Sequence, residues 1–204
     1  MFLAIAVVLL AGIALVSLGV TRYDFFVPVE LPWMHSIPIA HRGLFDAQLD
    51  ENSAGAIRNA IRNGYAVELD LRCTKDGVPV VIHDNTLKAT FGLPGRISGM
   101  TLGEVSHLQL PKSGEGIPTL QDILDLVDGR VPLLIEIKHY GFPGRFEEAV
   151  LAVLEGYRGD YALQCYNPLV CRWLRKRAPG MPVGLLLNDL PGLHFELARR
   201  VKDN

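Results

Sequence analysis

Short apolar runs alternate with helix-like stretches along most of this chain, and several of those runs end on acid, histidine and cation rather than on turn residues. Residues 36–40 lead into His41-Arg42, residues 65–71 contain Glu68-x-Asp70, residues 78–82 lead into His83-Asp84, and residues 131–137 contain Glu136, two before Lys138. Further strands are predicted at 161–165 and 182–187, and helices near 53–63, 120–127, 146–157, 168–177 and 193–201. This is the spacing of βαβ units, which implies a parallel sheet with right-handed crossovers. Residues 131–137 are almost wholly apolar, as a strand buried on both faces should be. A barrel and an open doubly wound sheet both place sites at strand carboxyl ends. No G-x-G-x-x-G or Walker A pattern follows the first strand, which disfavours the nucleotide-binding sheets. The expected fold class is therefore α/β, a TIM-type (β/α) barrel of which about six strands are visible.

The first residues carry a different signal. Residues 2–20 form an unbroken uncharged apolar run. As a helix it would be roughly 28 Å long, close to the hydrocarbon thickness of a bilayer. No Lys or Arg precedes it and no small-x-small cleavage site follows, so an uncleaved anchor is favoured over a signal peptide or a buried core helix. The expected organisation is a transmembrane anchor at 1–22, a stalk at 23–36 and a barrel domain at 37–204. Tyr23, Phe25, Phe26 and Trp33 read as interfacial residues, with Pro28 and Pro32 discouraging helix. Arg22 and Arg42 on the C-terminal side favour a domain on the cytoplasmic face of the membrane over the opposite orientation. A formal net charge of −2 leaves no basic footprint, so nucleic acid is not expected as a partner. Cys73, Cys165 and Cys171 form neither a disulfide framework nor a zinc spacing and read as reduced, mostly buried thiols.

The strand-end clusters point to chemistry. Residues two apart on a strand share a face, so Glu68 and Asp70 aim two carboxylates at one point, and Glu136 and Lys138 pair opposite charges. Three carboxylates suit one hard divalent cation, Mg2+ or Ca2+. His41 and His83 suit acid–base work near neutral pH. Arg42 and Lys138 suit an anionic substrate, and the whole set describes phosphoryl chemistry better than acyl or hydride transfer. The other polar residues have simpler readings: Asn52 as a helix cap, Asp76-Gly77 as a turn, Asp84 as a turn brace or the group that orients His83. His35, His107, His139 and His194 have no convergent context and read as structural or exposed. Residues 85–116 are glycine-rich and read as an irregular insertion with a short helix near 102–108.

These motifs resemble those of the glycerophosphodiester phosphodiesterase family. The matching segments are His41-Arg42-Gly43, Glu51-Asn52, Glu68-Leu69-Asp70, Thr74-x-Asp76-Gly77, Val80-Val81-Ile82-His83-Asp84, Ile117-Pro118-Thr119-Leu120, Glu136-Ile137-Lys138 and Gln164-Cys165-Tyr166-Asn167-Pro168. The resemblance covers about residues 37–187 and implies a TIM barrel with a small insertion, here 85–116. It implies hydrolysis of glycerophosphodiesters to an alcohol and glycerol 3-phosphate. It assigns His41 and His83 as the acid–base pair, Glu68, Asp70 and Glu136 as ligands of one divalent cation, and Arg42 and Lys138 as phosphate contacts. Two departures stand out. Ala89, beside Lys88, occupies the position where the family usually carries an Arg, and the family's last two strands are missing from a chain ending at Asn204. A lysophospholipase D-like activity is the alternative substrate reading, with Phe91, Leu93 and Ile97 as acyl contacts. A truncated, non-catalytic membrane protein that binds metal or phosphate is the non-enzymatic one.

Overall fold

The computed structural model describes residues 30–187. The predicted anchor and the helix predicted at 193–201 lie outside them. Among the described residues no helix is long and apolar enough to cross a membrane.

The chain opens with a short helix, α1 (Trp33–Ser36), followed by β1 (Ile39–His41), α2 (Ala54–Arg62) and β2 (Ala66–Cys73). β3 (Pro79–Val81), α3 (Leu87–Phe91), a 3-10 turn (Ile97–Gly99) and α4 (Leu102–Val105) come next. The rest is α5 (Leu120–Val127), β4 (Leu133–Ile137), α6 (Arg145–Leu154), β5 (Tyr161–Cys165), α7 (Pro168–Arg177) and β6 (Val183–Leu185). The sheet order is β1-β2-β4-β5-β6, all parallel. Each new strand joins the same side of its predecessor. A doubly wound sheet reverses direction at a switch point, so the unreversed order selects the barrel winding.

β3 departs from the expected pattern. It is not another parallel stave but pairs antiparallel with the end of β2, Leu71 opposite Val81 and Cys73 opposite Pro79. Asp76-Gly77 between them is a hairpin signal. Gly77 at φ +93 supplies the left-handed turn, and Thr74 braces it, its hydroxyl donating to Asp76 Oδ1 at 2.6 Å. β1 pairs with residues 66–68 of β2 and β3 with residues 71–73, so β3 takes over one edge of β2 where β1 stops.

Residues 31–36 are not a stalk. Trp33 is 8% exposed and packs with Ala66, Leu134 and Ala162, which stand near the amino ends of β2, β4 and β5. A side chain read as interfacial instead closes the amino-terminal end of the sheet. The segment 85–116 is also more ordered than its composition suggests. Leu87, Ile97, Val105 and Leu110 join Val80, Ile82 and Ile117 in a hydrophobic cluster of their own, with Phe91 packed against it. Of the three side chains read as acyl contacts, only Leu93 is exposed, at 47%.

α2 starts one residue later than expected. Its N-cap is Ser53, whose hydroxyl accepts from Ala56 N–H at 3.0 Å, rather than Asn52. Both residue types cap well, and a tertiary partner described below claims Asn52. α5 begins on a reciprocal capping box between Thr119 and Asp122.

Candidate functional site

Strand register builds the site. His41 lies opposite Glu68, and Asp70, two residues further along β2, opposite Glu136, so two successive rows of the sheet bring all four groups to the same face. Glu68, Asp70 and Glu136 are buried, and each contributes an oxygen within 4.8 Å of the others. The period-two reading is borne out for the pair on β2.

The main chain just after β1 turns sharply to reach these groups. Arg42 is left-handed at φ +57 and Asn52 at φ +58, a conformation uncommon outside glycine. Asn52 N–H donates to Arg42 C=O at 2.8 Å, locking the two together. Gly43 at φ +80 follows, and a Cβ there would sit 3.0 Å from the main chain of Ala56. The turn aims Arg42 N–H at Glu68 Oε2, 3.0 Å away. The Arg42 guanidinium grips both oxygens of Glu51 at 3.0 and 2.9 Å and lies 3.3 Å from Asp70 Oδ2. Its buried Nε is nonetheless without a hydrogen-bond partner, because closeness to Asp70 is not matched by alignment.

Asp70 is the most enclosed member, its side chain 1% exposed. Asn52 Nδ2 donates to Asp70 Oδ2 at 2.9 Å and Asn52 Oδ1 accepts from Asp70 N–H at 3.2 Å. Lys138 Nζ stands 3.1 Å from Asp70 Oδ1 and 2.6 Å from Glu136 Oε1. Lys138 thus lies among the acids, bridging two of them. Gln164 on β5 donates to Glu68 Oε1 at 3.4 Å.

The charges do not balance. Three buried carboxylates face Lys138 and Arg42, and Arg42 is also committed to Glu51. Glu68 shows the imbalance: burial, then the neighbouring Asp70 and Glu136, push its carboxyl up to about 8, against the pull of Arg42 N–H and Lys138. Burial works against the Lys138 ammonium, but its bond to Glu136 and the charge of Asp70 outweigh it and raise it. An all-oxygen donor set with excess negative charge is what a hard divalent cation requires, so the residues fit one.

The histidines sit above this floor. His41 is 69% exposed at its side chain, with Nε2 3.9 Å from Glu68 Oε2. Burial of part of the ring and then the charge of Arg42 lower it, outweighing Asp70 and Glu51, with the charge of His83 adding to the lowering. His83 arrives by the return leg of the hairpin rather than from the end of a parallel stave. Ile82 N–H bonds Asp70 C=O at 3.0 Å, which brings His83 down to the carboxylates. Its Nδ1 lies 2.7 Å from Asp84 Oδ1, so Asp84 orients the ring, as its position beside His83 allowed.

Three residues to which the sequence assigned no part in the site belong to this end of the sheet. Asn52 holds Asp70. Arg72 follows Asp70 on the same face of β2 and bonds two main-chain carbonyls there. His139, read as a residue without context, pairs through Nδ1 with the fully buried Glu147 of α6. The pattern Glu-x-Asp-x-Arg carried a signal for Arg72; nothing local ties His139 to a helix eight residues on.

A family model described as the glycerophosphoryl diester phosphodiesterase family matches residues 41–195. A glycerophosphodiester phosphodiesterase of Caldanaerobacter subterraneus subsp. tengcongensis is 34% identical over 164 residues, 75% of this chain and 67% of that protein. A probable glycerophosphodiester phosphodiesterase 2 of Mycobacterium tuberculosis is 40% identical over 102 residues, 49% of this chain and 38% of its own length. A crystal structure of a glycerophosphodiester phosphodiesterase from Parabacteroides distasonis superposes with a TM-score of 0.66 at 27% identity, over 76% of this chain and 66% of that one. The fold is thus of the TIM type, and the chain spans between 38 and 67% of the length of these relatives.

Proposed function

Because this chain belongs to the glycerophosphoryl diester phosphodiesterase family, we propose that it hydrolyses glycerophosphodiesters to an alcohol and glycerol 3-phosphate at the site formed by Glu68, Asp70, Glu136, His41 and His83. The observation that carries this reading is the meeting of three buried carboxylates, in charge excess, beneath an accessible imidazole 3.9 Å from one of them. Glu68, Asp70 and Glu136 would hold one Mg2+ or Ca2+ ion. That ion would supply Lewis-acid stabilisation of charge developing on phosphoryl oxygens.

The chain's own groups divide the remaining work. His41, lowered towards its neutral form, accepts the proton of the nucleophile, either water or the neighbouring glycerol hydroxyl. Asp84 Oδ1, 2.7 Å from His83 Nδ1, orients that ring and leaves its other nitrogen for the opposite step. His83 therefore gives the proton to the leaving alkoxide as its bond to phosphorus breaks. Arg42, fixed by Glu51, contributes a cation at the rim, and Lys138 neutralises Asp70 and Glu136 from below. Residues 2–20 support a membrane anchor, which would be tested by whether deleting 1–22 moves the protein from the membrane to the soluble fraction.

The test is release of glycerol 3-phosphate from glycerophosphocholine, measured with Mg2+, with Ca2+ and with chelator. Divalent-dependent turnover that disappears in Glu68→Ala and His41→Ala is the expected result. Equal turnover in chelator, or full activity in both variants, would sink the assignment. Parallel measurement with lysophosphatidylcholine separates the two substrate readings, and cation-dependent thermal stabilisation without turnover of either would favour the non-catalytic one.

A further inference from the structure

We propose that Arg72 is a positioning residue that sets the acid–base histidine His83 against Lys138, an inference that rests on the catalytic reading above. Glu68, Asp70 and Arg72 alternate along β2 and share one face. The ladders on either side of β2 end just there. β3 pairs with Leu71, Arg72 and Cys73, and β4 pairs up to Leu71 opposite Ile137, with Lys138 N–H closing on Leu71 C=O at 3.2 Å. His83 and Lys138 lie one or two residues past those ladders. Arg72 Nε donates to His83 C=O at 2.8 Å, and Arg72 Nη1 donates to Lys138 C=O at 3.0 Å.

Two nitrogens of one planar group therefore fix the spacing between chain segments 55 residues apart in sequence, one bearing a candidate proton donor and the other the cation of the acidic floor. A guanidinium can do this because its donors are held in a rigid fork. Lysine has one nitrogen and no fixed angle between donors. Charge-assisted bonds to carbonyls are also stronger than neutral ones. Arg72 itself is half-buried and, among the described residues, bonds main-chain carbonyls rather than a carboxylate, so its placement answers to the main chain.

The experiment compares wild type, Arg72→Lys and Arg72→Gln in four measurements: melting midpoint, inhibition by glycerol 3-phosphate, steady-state kinetics with glycerophosphocholine, and the NMR titration of the His83 ring, assigned with His83→Ala. Positioning predicts that kcat falls by about tenfold or more in both variants, since small misplacements weigh heavily on rate. KM and glycerol 3-phosphate inhibition stay near wild type, while the His83 ring signal shifts. A loss of glycerol 3-phosphate affinity with an unchanged His83 signal would make Arg72 a substrate ligand and overturn the proposal. A collapse of the melting midpoint in both variants would make it a staple of the fold and overturn the proposal equally, and so would four unchanged measurements. If wild type itself shows no turnover, the catalytic reading fails, and the His83 titration alone still decides whether Arg72 controls that ring.

Discussion

The carboxylate floor and the histidine rim of this site are built on opposite principles. The floor is made by sheet register: Asp70 faces Glu136 and His41 faces Glu68 across adjacent parallel strands, and the acids are locked by Asn52, Lys138 and Arg42. The rim is made by chain ends. His41 stands on the last residue of a three-residue strand, largely in solvent, and His83 hangs from the return leg of a hairpin. Removing a floor residue disturbs a buried electrostatic network; on the proposed reading, removing a rim residue disturbs little but the chemistry.

The widest separation is expected from Asp70→Ala. It leaves the nearly buried Lys138 facing one acid fewer and strips Arg42 and Asn52 of a partner. Breaking a buried ion pair from one side costs about 3–5 kcal/mol. Chemical denaturation should show a loss of that size, together with loss of divalent-cation binding by calorimetry. His41→Ala and His83→Ala should lower turnover by about 10²–10⁴-fold. The exposed His41 variant should keep its stability to within about 0.5 kcal/mol. A His41 variant that unfolds as readily as Asp70→Ala would break the comparison.

Asn52→Ala tests the floor from its edge. It deletes both hydrogen bonds to Asp70 while preserving the Ser53 cap of α2, and should cost about 1–3 kcal/mol. A pH dependence tests the same charge excess without a substitution. Because Glu68 is held up to about 8, the folded metal-free protein binds a proton that the unfolded chain has released. Its stability should therefore fall as pH rises from the ordinary carboxylate range through about 8. Melting curves with a saturating divalent cation should flatten that slope; a metal-free protein that becomes more stable over the same range would contradict the charge excess.

Much of the floor was legible in the sequence because its logic is periodic. Glu68, Asp70 and Glu136 stand on strands whose alternation fixes where they point, and register does the rest. The parallel crossovers followed from the spacing of strands and helices, while the barrel was preferred over an open sheet because no nucleotide-binding glycine pattern follows the first strand. What escaped was whatever a distant partner decides. Ser53 and Asn52 compete for one cap, and only the presence of Asp70 eighteen residues away settles it. The pairing of Lys138 with Glu136 was visible along one strand, but its second partner, Asp70, appears only when β2 and β4 lie side by side. The antiparallel course of β3 was signalled by Asp76-Gly77, but the surrounding βαβ rhythm outweighed a two-residue turn. Trp33 looked interfacial because its packing partners sit on three other strands.

The small core shared by β3 and the 85–116 segment has a consequence for how such sites diversify. Val80 and Ile82 belong to that cluster as fully as Ile97 and Val105 do, so the strand delivering His83 is tied to the insertion as well as to the sheet. Exchanging the insertion between relatives would thus exchange one half of the imidazole pair with it. The natural seam for such a recombination lies at the Asp76-Gly77 turn, upstream of where the insertion begins in sequence.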